Sequence, residues 1–353
     1  MTQDTQPLWE GQNVYVGLDV HLRSWKVAIE LESSSWKGFS QDPDPELLAR
    51  YLQRHFPGAR YHCLYEAGYF GFWIHRALCR LGIETRVINP ADVPTTDKER
   101  VKKTDRVDAR KLARTLRDGR LRGIYVPDET AVSDRLLLRT EWQLIRKQTR
   151  VKNQIKALLR YMGIPVPRST WSKAFIATLE RVAASDCALG ASGRAALTCH
   201  LDELTALRAL LREVNGKIRL LADEERYQDR VRFLTSLPGI SLRTAMVFLT
   251  ELVEMRRFRN LDHLAGYVGL VPSEHSSGEH ERVGELTRRR NRRLRHVLIE
   301  SAWIASRHDT ELALAYTKLC RRMPKNQAII RIARRQLSRI RYVLMNECRL
   351  EPA

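Results

Sequence analysis

The segment Val14-Tyr15-Val16-Gly17-Leu18-Asp19 is a short apolar run, rich in residues that favour strands, and it ends on an acidic residue. After a few turn residues comes Trp25-Lys26-Val27-Ala28-Ile29-Glu30-Leu31, in which apolar and polar residues alternate. Alternation with a period of two is typical of a half-buried strand. The two segments predict a pair of strands joined by a tight turn, with Asp19 at the carboxyl end of the first strand.

Alternating strand and helix patterns continue outward from this pair. The predicted elements are a weak strand near Trp36–Ser40, a helix over Pro45–Phe56, a strand over Tyr61–Tyr65, a helix over Phe72–Leu81 and a strand over Thr85–Pro90. The predicted strand Tyr61–Tyr65 ends directly before Glu66. Such alternation indicates an α/β layer in which at least some strands are parallel.

The middle third of the chain changes to heptad spacing. One run repeats every seven residues, at Leu137, Leu144, Val151 and Leu158. A second run steps by three and four residues, at Leu204, Leu207, Leu211, Val214, Ile218 and Leu221. Such seams predict an antiparallel helical hairpin, an intermolecular coiled coil or an ordinary bundle core. The stretch between them, 163–193, is predicted to be a loop with at most one short helix.

The last third, from about residue 231, is predicted to be helical. Its start, Leu237-Pro238-Gly239-Ile240, is similar to the turn of a helix-hairpin-helix element, and a plain interhelical turn is the alternative. The polar segment 273–278 is predicted to be a loop that either binds phosphate and supplies a nucleophile or is simply solvated. The predicted fold class is therefore α/β plus all-α, with domains at 10–128, 129–230 and 231–353.

Charge and composition narrow the functional class. The 353 residues include 61 Lys and Arg against 41 Asp and Glu, a net charge of +20, which indicates a polyanionic partner such as nucleic acid or an anionic membrane. Two features argue against the membrane: there is no apolar run near the ~20 residues that a spanning helix needs, and Met1-Thr2-Gln3-Asp4 lacks signal-peptide character. The six cysteines are scattered, without C-x-x-C spacing, which disfavours structural zinc and a disulfide framework. We therefore expect a cytoplasmic protein.

Arginines are most concentrated in 288–295, where six occur in eight positions. Like charges at this density repel one another unless an anionic partner screens them, so phosphate contact is predicted. The predicted nucleic-acid contacts are Arg106, Arg110, Arg282, Arg288, Arg289, Arg290, Arg292, Arg293 and Arg295. These residues do not distinguish DNA from RNA.

Four acidic residues suggest a metal-dependent site. Asp19 and Glu66 follow predicted strands, and Asp105 and Asp108 stand three residues apart at a predicted helix start, where they share one face. Carboxylates are the ligands that Mg²⁺ and Mn²⁺ prefer, and two such ions can stabilise the attacking and leaving oxygens of a phosphodiester. Taken singly, each acid is also explained by helix-dipole or turn chemistry.

Five motifs occur in an order that resembles one known family, the DEDD transposases of the insertion-sequence IS110 family, relatives of the Piv DNA invertase. The motifs are Gly17-Leu18-Asp19-Val20-His21, Tyr65-Glu66-Ala67-Gly68, Lys103-Thr104-Asp105-Arg106-Val107-Asp108-Ala109, Leu237-Pro238-Gly239-Ile240 and Gly269-Leu270-Val271-Pro272 with Ser276-Ser277-Gly278. The resemblance extends over nearly the whole chain.

The resemblance implies an RNase H/RuvC-like amino-terminal domain, a helical coiled-coil connection and a carboxyl-terminal transposase domain. It implies that Asp19, Glu66, Asp105 and Asp108 bind Mg²⁺ or Mn²⁺, and that Ser277 forms a transient phosphoserine link to DNA. It further implies a homo-oligomer, a dimer or tetramer, and a structured guide RNA from the element's own ends.

One motif departs from the family pattern. The family commonly has Thr-Lys-x-Gly-Asn where this chain has Thr287-Arg288-Arg289-Arg290-Asn291, so Arg290 replaces a glycine. Ser273 and Ser276 also neighbour Ser277. Two alternative functions are a RuvC-like junction-resolving endonuclease that uses water, and a non-catalytic nucleic-acid-binding protein.

Overall fold

The computed structural model describes residues 9–93, 105–119, 122–167, 171–185, 189–277, 280–287 and 290–350. Within these ranges the backbone alone is described for 105–107, 272–277 and 280–286. The chain divides into two compact units, Met1–Val126 and Pro127–Ala353.

The first unit contains a five-stranded mixed sheet of order β3-β2-β1-β4-β5. Its strands are β1 Asn13–Val20, β2 Trp25–Leu31, β3 Phe39–Gln41, β4 Arg60–Glu66 and β5 Glu84–Ile88. β2 is antiparallel to both β1 and β3, whereas β4 is parallel to both β1 and β5. The predicted α/β layer and its first strand pair are confirmed. The weak third strand begins at Phe39, three residues later than predicted.

Helices cover both faces of this sheet. They are α1 Pro45–His55, α2 Trp73–Arg80 and α3 Asp105–Arg117, with a short 3-10 turn at Pro90–Asp92. Val16 and Leu18 of β1 belong to the core that includes Leu48 of α1 and Leu78 of α2. Successive strand residues point to opposite faces, so Gly17, between Val16 and Leu18, faces the other way. That opposite face is the one covered by α3.

Gly17 allows α3 to approach the sheet very closely. A Cβ at Gly17 would lie 1.9 Å from the carbonyl oxygen of Ala109 and 2.4 Å from the amide nitrogen of Ala113. These two alanines and Ala28 of β2, which pairs with Gly17, form a small buried cluster of their own. Small residues on both partners therefore fix where α3 crosses the sheet.

We expect Gly17→Ala to destabilise the protein, because the new methyl group would overlap backbone atoms of α3 that cannot rotate away. Overpacking of this kind costs about 1–3 kcal/mol. Urea unfolding followed by circular dichroism measures the change in the free energy of unfolding. Gly68→Ala is the matched control, since no atom lies within 4 Å of a Cβ built there. A parent-like midpoint for Gly17→Ala would contradict the close approach.

The second unit is mostly helical. Its elements are α4 Glu129–Tyr161, α5 Lys173–Ala184, α6 Gly190–Ala222, α7 Glu225–Thr235, α8 Leu242–Leu252, a 3-10 turn at Met255–Arg257, α9 Leu261–Val268, β6 Pro272–Ser277, β7 His280–Leu286, α10 Arg292–His308, α11 Thr310–Cys320 and α12 Lys325–Asn346. Side-chain caps set several helix starts: Asp128, Ser241 and Asp309 each accept a hydrogen bond from a backbone N–H in the first turn. No described helix has both the length and the apolar character needed to cross a bilayer.

The heptad segments form α4 and α6, two helices of 33 residues that pack on each other. Leu138, near the start of α4, shares a buried cluster with Ile218 near the end of α6. Leu159, near the end of α4, shares another with Leu197 near the start of α6. The two helices therefore run antiparallel within one chain. The segment between them includes the 12-residue helix α5.

The polar segment that was predicted to be a loop is instead part of a β-hairpin. β6 and β7 pair antiparallel, with a register irregularity between Pro272 and Glu274. The prediction was wrong because strand pairing satisfies backbone N–H and C=O groups whatever the side chains are. A hairpin of mainly polar residues lacks the apolar alternation by which strands are recognised.

The turn Leu237-Pro238-Gly239-Ile240 lies between α7 and α8, in agreement with its predicted place between two helices. Gly239 has a φ of +84°, a region that favours glycine. A Cβ at Gly239 would lie 2.4 Å from the carbonyl oxygen of Ser301 in α10. The glycine therefore serves both the tight turn and its contact with α10.

Candidate functional site

The sheet register brings two of the predicted acids side by side. Leu18 of β1 pairs with Tyr65 of the parallel strand β4, so Asp19 and Glu66 are the next residues on each strand. Adjacent strands lie about 4.8 Å apart, and residues level with one another point to the same face. That face is the one that carries Gly17 and is covered by α3. Asp19 and Glu66 therefore stand together at the carboxyl ends of neighbouring strands.

Buried Glu30 fixes the direction of α3 over these acids. Its side chain is 1% exposed and accepts hydrogen bonds from Arg114 at 3.1 Å and Arg117 at 3.3 Å. Glu30 pairs with Tyr15, near the amino end of β1, so the carboxyl-terminal half of α3 lies at that end. The first turn of α3 consequently lies toward the opposite end of the sheet, where Asp19 and Glu66 are.

The start of α3 contributes the other two predicted acids. Asp105 is the first residue of the helix and Asp108 follows one turn later, immediately before Ala109, whose carbonyl contacts Gly17. Asp108 is half-buried, whereas the side chains of Asp105 and Arg106 lie outside the description. By backbone placement, all four acids belong to one edge of the sheet.

The local chemistry of this edge suits a hard cation. Asp19 is 22% exposed, and its Oδ2 lies 3.1 Å from Nε2 of His21. Carboxylate oxygens are the ligands that Mg²⁺ and Mn²⁺ prefer. Among the described side chains, no three of the His, Cys, Asp and Glu types form a group that could hold a metal ion. The four-carboxylate centre is therefore a prediction supported by backbone placement and by donor chemistry.

Exposed apolar side chains lie on the segments that follow Asp19 and Glu66, and the sequence pattern did not single them out. Trp25 and Trp73 pack with ring centroids 6.2 Å apart and so join the segments that follow β1 and β4. Leu22 is 73% exposed and Tyr69 is 93% exposed on those segments. No periodicity could have found them, because exposure of a turn residue depends on what packs beside it. They add exposed apolar surface to the segments that follow the two strand-end acids.

In the second unit, Ser277 lies near the tip of the β6–β7 hairpin. It is the last residue of β6 and pairs with His280 of β7. The base of the hairpin is closed by backbone hydrogen bonds from Thr287 to Val271 and from Asn291 to Tyr267. The side chains of Ser277 and Arg282 lie outside the description, as do Arg288 and Arg289 altogether.

Gly269 and Arg290 pack together at the base of this hairpin. Gly269 ends α9 with a φ of +87°, and a Cβ there would lie 2.3 Å from the Cβ of Arg290. The arginine that replaces the family glycine is therefore accommodated because its neighbour has no side chain. Arg290 Nη1 also donates a hydrogen bond to the carbonyl oxygen of Thr287 at 3.2 Å.

A buried carboxylate anchors the arginine-rich segment that follows. Glu251 of α8 is 1% exposed and accepts hydrogen bonds from Arg139 at 2.9 and 3.0 Å. It also accepts one at 2.9 Å from Nδ2 of Asn291, whose Oδ1 caps the start of α10. Burial raises the pKa of Glu251, but the hydrogen bonds and positive charge of Arg139, with Asn291 and Arg135, outweigh it and hold the pKa below its usual value.

Arg293 does not belong to the exposed arginines, which corrects one prediction. It is 5% exposed, and its Nη2 donates to Oε2 of buried Glu141 at 3.4 Å. Burial lowers its pKa to about 10, so it remains charged at neutral pH. Arg243 pairs with the same Glu141. Arg293 faces the interior although its neighbour Arg292 is exposed, because an α-helix turns by about 100° per residue.

The other predicted arginines differ in exposure. Arg110, Arg290 and Arg292 are exposed, and Arg295 is half-buried. Burial, and to a lesser extent the charge of Arg290, lower the pKa of Arg295. Three of the predicted phosphate contacts are thus open to solvent, while Arg293 stabilises the interior.

Comparison with known proteins bears on both units. A family model for DEDD transposases of IS110 elements matches residues 16–163, and one described as the transposase IS116/IS110/IS902 family matches residues 231–318. The chain belongs to the IS110 family of DEDD transposases. The first match includes the strand and helix acids, and the second includes the β6–β7 hairpin. As a transposase, the protein is an enzyme that acts on DNA.

Individual relatives support the same family. A putative transposase of Sinorhizobium fredii is 28% identical over 315 residues, which are 82% of this chain and 76% of the relative. A second one from that organism is 29% identical over 338 residues, 86% of this chain and 83% of the relative. The transposase for insertion sequence element IS1111A of Coxiella burnetii is 27% identical over 265 residues, 73% and 71% of the two chains.

We expect Glu251→Ala to lower the free energy of unfolding of the transposase by about 3–5 kcal/mol, because Arg139 and Arg135 would lose their buried partner. The control is Glu213→Ala, which removes the exposed partner of Lys217. That change should leave the urea midpoint unchanged, since exposed ion pairs contribute little. Equal effects of the two variants would contradict the role of Glu251.

The same carboxylate predicts a pH dependence. Because the pKa of Glu251 is lower in the folded protein than in the unfolded chain, its stabilisation is complete above the unfolded pKa, about 4.3. That contribution is lost as the pH falls through the folded pKa. Urea midpoints measured across this acid range should fall less steeply for Glu251→Gln than for the parent. Identical pH profiles would contradict the assignment.

Proposed function

We propose that this transposase cuts and rejoins DNA by metal-dependent transesterification. Asp19, Glu66, Asp105 and Asp108 would hold Mg²⁺ or Mn²⁺, and Ser277 would be the nucleophile. The observation that carries the metal site is the register that sets Asp19 beside Glu66, on the face covered by the start of α3. The strand order β3-β2-β1-β4-β5, in which β2 alone runs antiparallel to the other strands, supports an RNase H/RuvC-like first domain.

The proposed reaction exchanges one phosphoester for another. The Oγ of Ser277 loses its proton and bonds to phosphorus, and the bond from phosphorus to a DNA hydroxyl oxygen breaks, so that this oxygen leaves and is protonated. A DNA hydroxyl then attacks the serine phosphate and releases Ser277. A bound divalent cation would stabilise negative charge on the attacking and leaving oxygens. No external energy source is required, because the number of phosphoester bonds is conserved.

The proposed organisation has three domains, at 10–128, 129–230 and 231–353, with α4 and α6 as an antiparallel coiled coil. The acids belong to the first domain and Ser277 to the third. We therefore propose a homo-oligomer, a dimer or tetramer, in which domains of different copies complete one site. We also propose a structured guide RNA, for which the exposed arginines Arg110, Arg290 and Arg292 provide positive charge.

We expect Ser277→Ala to abolish both strand exchange and the SDS-resistant link between protein and DNA, because no other atom would replace its Oγ. Incubation with end-labelled DNA followed by denaturing electrophoresis measures the link. Ser273→Ala and Ser276→Ala are matched controls on the same strand, and they should retain it. Cleavage that persists without a covalent link in Ser277→Ala would favour the junction-resolving endonuclease that uses water.

We expect Asp19→Asn, Glu66→Gln and the double variant Asp105→Asn/Asp108→Asn each to reduce strand transfer roughly 100-fold or more, as loss of charge stabilisation at phosphorus requires. DNA binding should persist. The heat of Mn²⁺ binding, measured by calorimetric titration, should disappear in the same variants. Asp118→Asn, an exposed acid just beyond α3, is the control and should behave as the parent. Unchanged strand transfer in all the variants would overturn the four-carboxylate site, whereas DNA binding without strand transfer by the parent would favour the non-catalytic binding protein.

A further inference from the structure

The two halves of α4 differ in how their positive charges are balanced. In the first half, Arg139 pairs with buried Glu251, and Arg135 approaches the same carboxylate at 3.9 Å. From Trp142 to Tyr161 there is no Asp or Glu but six basic residues. The second half of the helix therefore carries a concentration of positive charge without acids of its own.

Three of these six basic residues form a continuous exposed surface. Lys152 and Lys156 lie over the ring of Trp171, at 5.5 and 5.7 Å from its centroid, and so face the residues just before α5. The remaining exposed face is a shallow groove of about 700 Å³, which we call the α4 stripe. It is lined by Gln143, Arg146, Lys147, Thr149, Arg150, Asn153, Gln154 and Ala157.

The residues of the α4 stripe are exposed and face away from the core of the unit. Its residues recur at intervals of three and four, so they follow one side of the helix over about 21 Å. The opposite side, with Leu144, Val151 and Ile155, is buried against α6. Among the described residues, no carboxylate forms an ion pair with Arg146, Lys147 or Arg150.

This combination of charges and amides points to a particular kind of ligand. Three cations within two consecutive turns repel one another, and an extended anion would remove that repulsion. Duplex DNA presents one negative charge per about 1.7 Å of its axis, and its major groove is wide enough for an α-helix. Arg, Asn and Gln can also donate hydrogen bonds to phosphate oxygens and base edges.

We propose that the α4 stripe is a DNA-binding surface that holds the backbone of duplex DNA. This surface is separate from the arginine-rich segment 288–295. The occupant is DNA, because membership of the transposase family establishes DNA as the substrate. The major groove of an RNA duplex is too deep and narrow to admit a helix. A second copy of the same surface would bring like charges together. The proposal does not depend on Ser277 or on the metal site.

The test compares two double variants of the full-length protein, Arg146→Gln/Arg150→Gln and the control Arg212→Gln/Arg219→Gln. The control removes two exposed arginines from α6, the partner helix of α4. Binding to a labelled DNA duplex and to an RNA hairpin is measured over a range of salt concentrations. Each lost phosphate contact lowers the slope of log K against log salt by about 0.9.

For DNA binding by Arg146→Gln/Arg150→Gln, we expect the slope of log K against log salt to be less steep by about 1.8, that is, by about 0.9 for each of two lost phosphate contacts. The control should keep the parent slope. Arg146→Lys/Arg150→Lys retains the charge and should restore the parent slope, which separates loss of contact from misfolding. A parent-like DNA slope in the glutamine variant would overturn the proposal. A change confined to RNA, or a change in oligomer mass by light scattering, would overturn the choice of DNA.

Discussion

The close contact between α3 and the sheet at Gly17 is the constraint on which the first unit depends. Because Gly17 has no Cβ and α3 presents alanines to it, the backbones of the strand and the helix come into close contact. This contact fixes where α3 crosses the sheet. Buried Glu30 then holds the far end of α3 through two arginines, which fixes its direction as well as its position. The acids at the strand ends and at the helix start share one edge of the sheet because these two contacts act together.

Buried carboxylates play a comparable part in the second unit. Glu141 and Glu251 are each 1% exposed. Glu141 pairs with arginines from α8 and α10, and Glu251 pairs with Arg139 of α4 and accepts a hydrogen bond from Asn291, which caps α10. Removing one partner from such a pair leaves an uncompensated buried charge, so these contacts are costly to break. They hold the start of α10, and with it the base of the hairpin that carries Ser277. Arginine side chains thus form buried ion pairs here, whereas on the second half of α4 they are exposed to solvent.

Local patterns predicted a large part of this structure. The alternation in 25–31, the run that ends at Asp19 and the heptads of α4 and α6 all correspond to observed elements, because each depends on a period that the backbone imposes on its neighbours. The hairpin of β6 and β7 was missed because its pairing involves the backbone and leaves no apolar period. The side chains of Asp105 and Ser277 remain predictions, and the side-by-side placement of Asp19 and Glu66 required the strand register.

The sequence by itself determined the α/β and helical parts, the family motifs and the acids at the ends of predicted strands. Only the tertiary structure decided which face of the sheet α3 covers, and that Arg293 is internal whereas Arg146 and Arg150 are exposed. The reason is separation along the chain: Glu141 and Arg293 are 152 residues apart, and Glu30 and Arg117 are 87 residues apart. Hydrophobic periodicity along the sequence indicates which residues share a face of a helix or strand, but it does not indicate which distant residues will pack against that face.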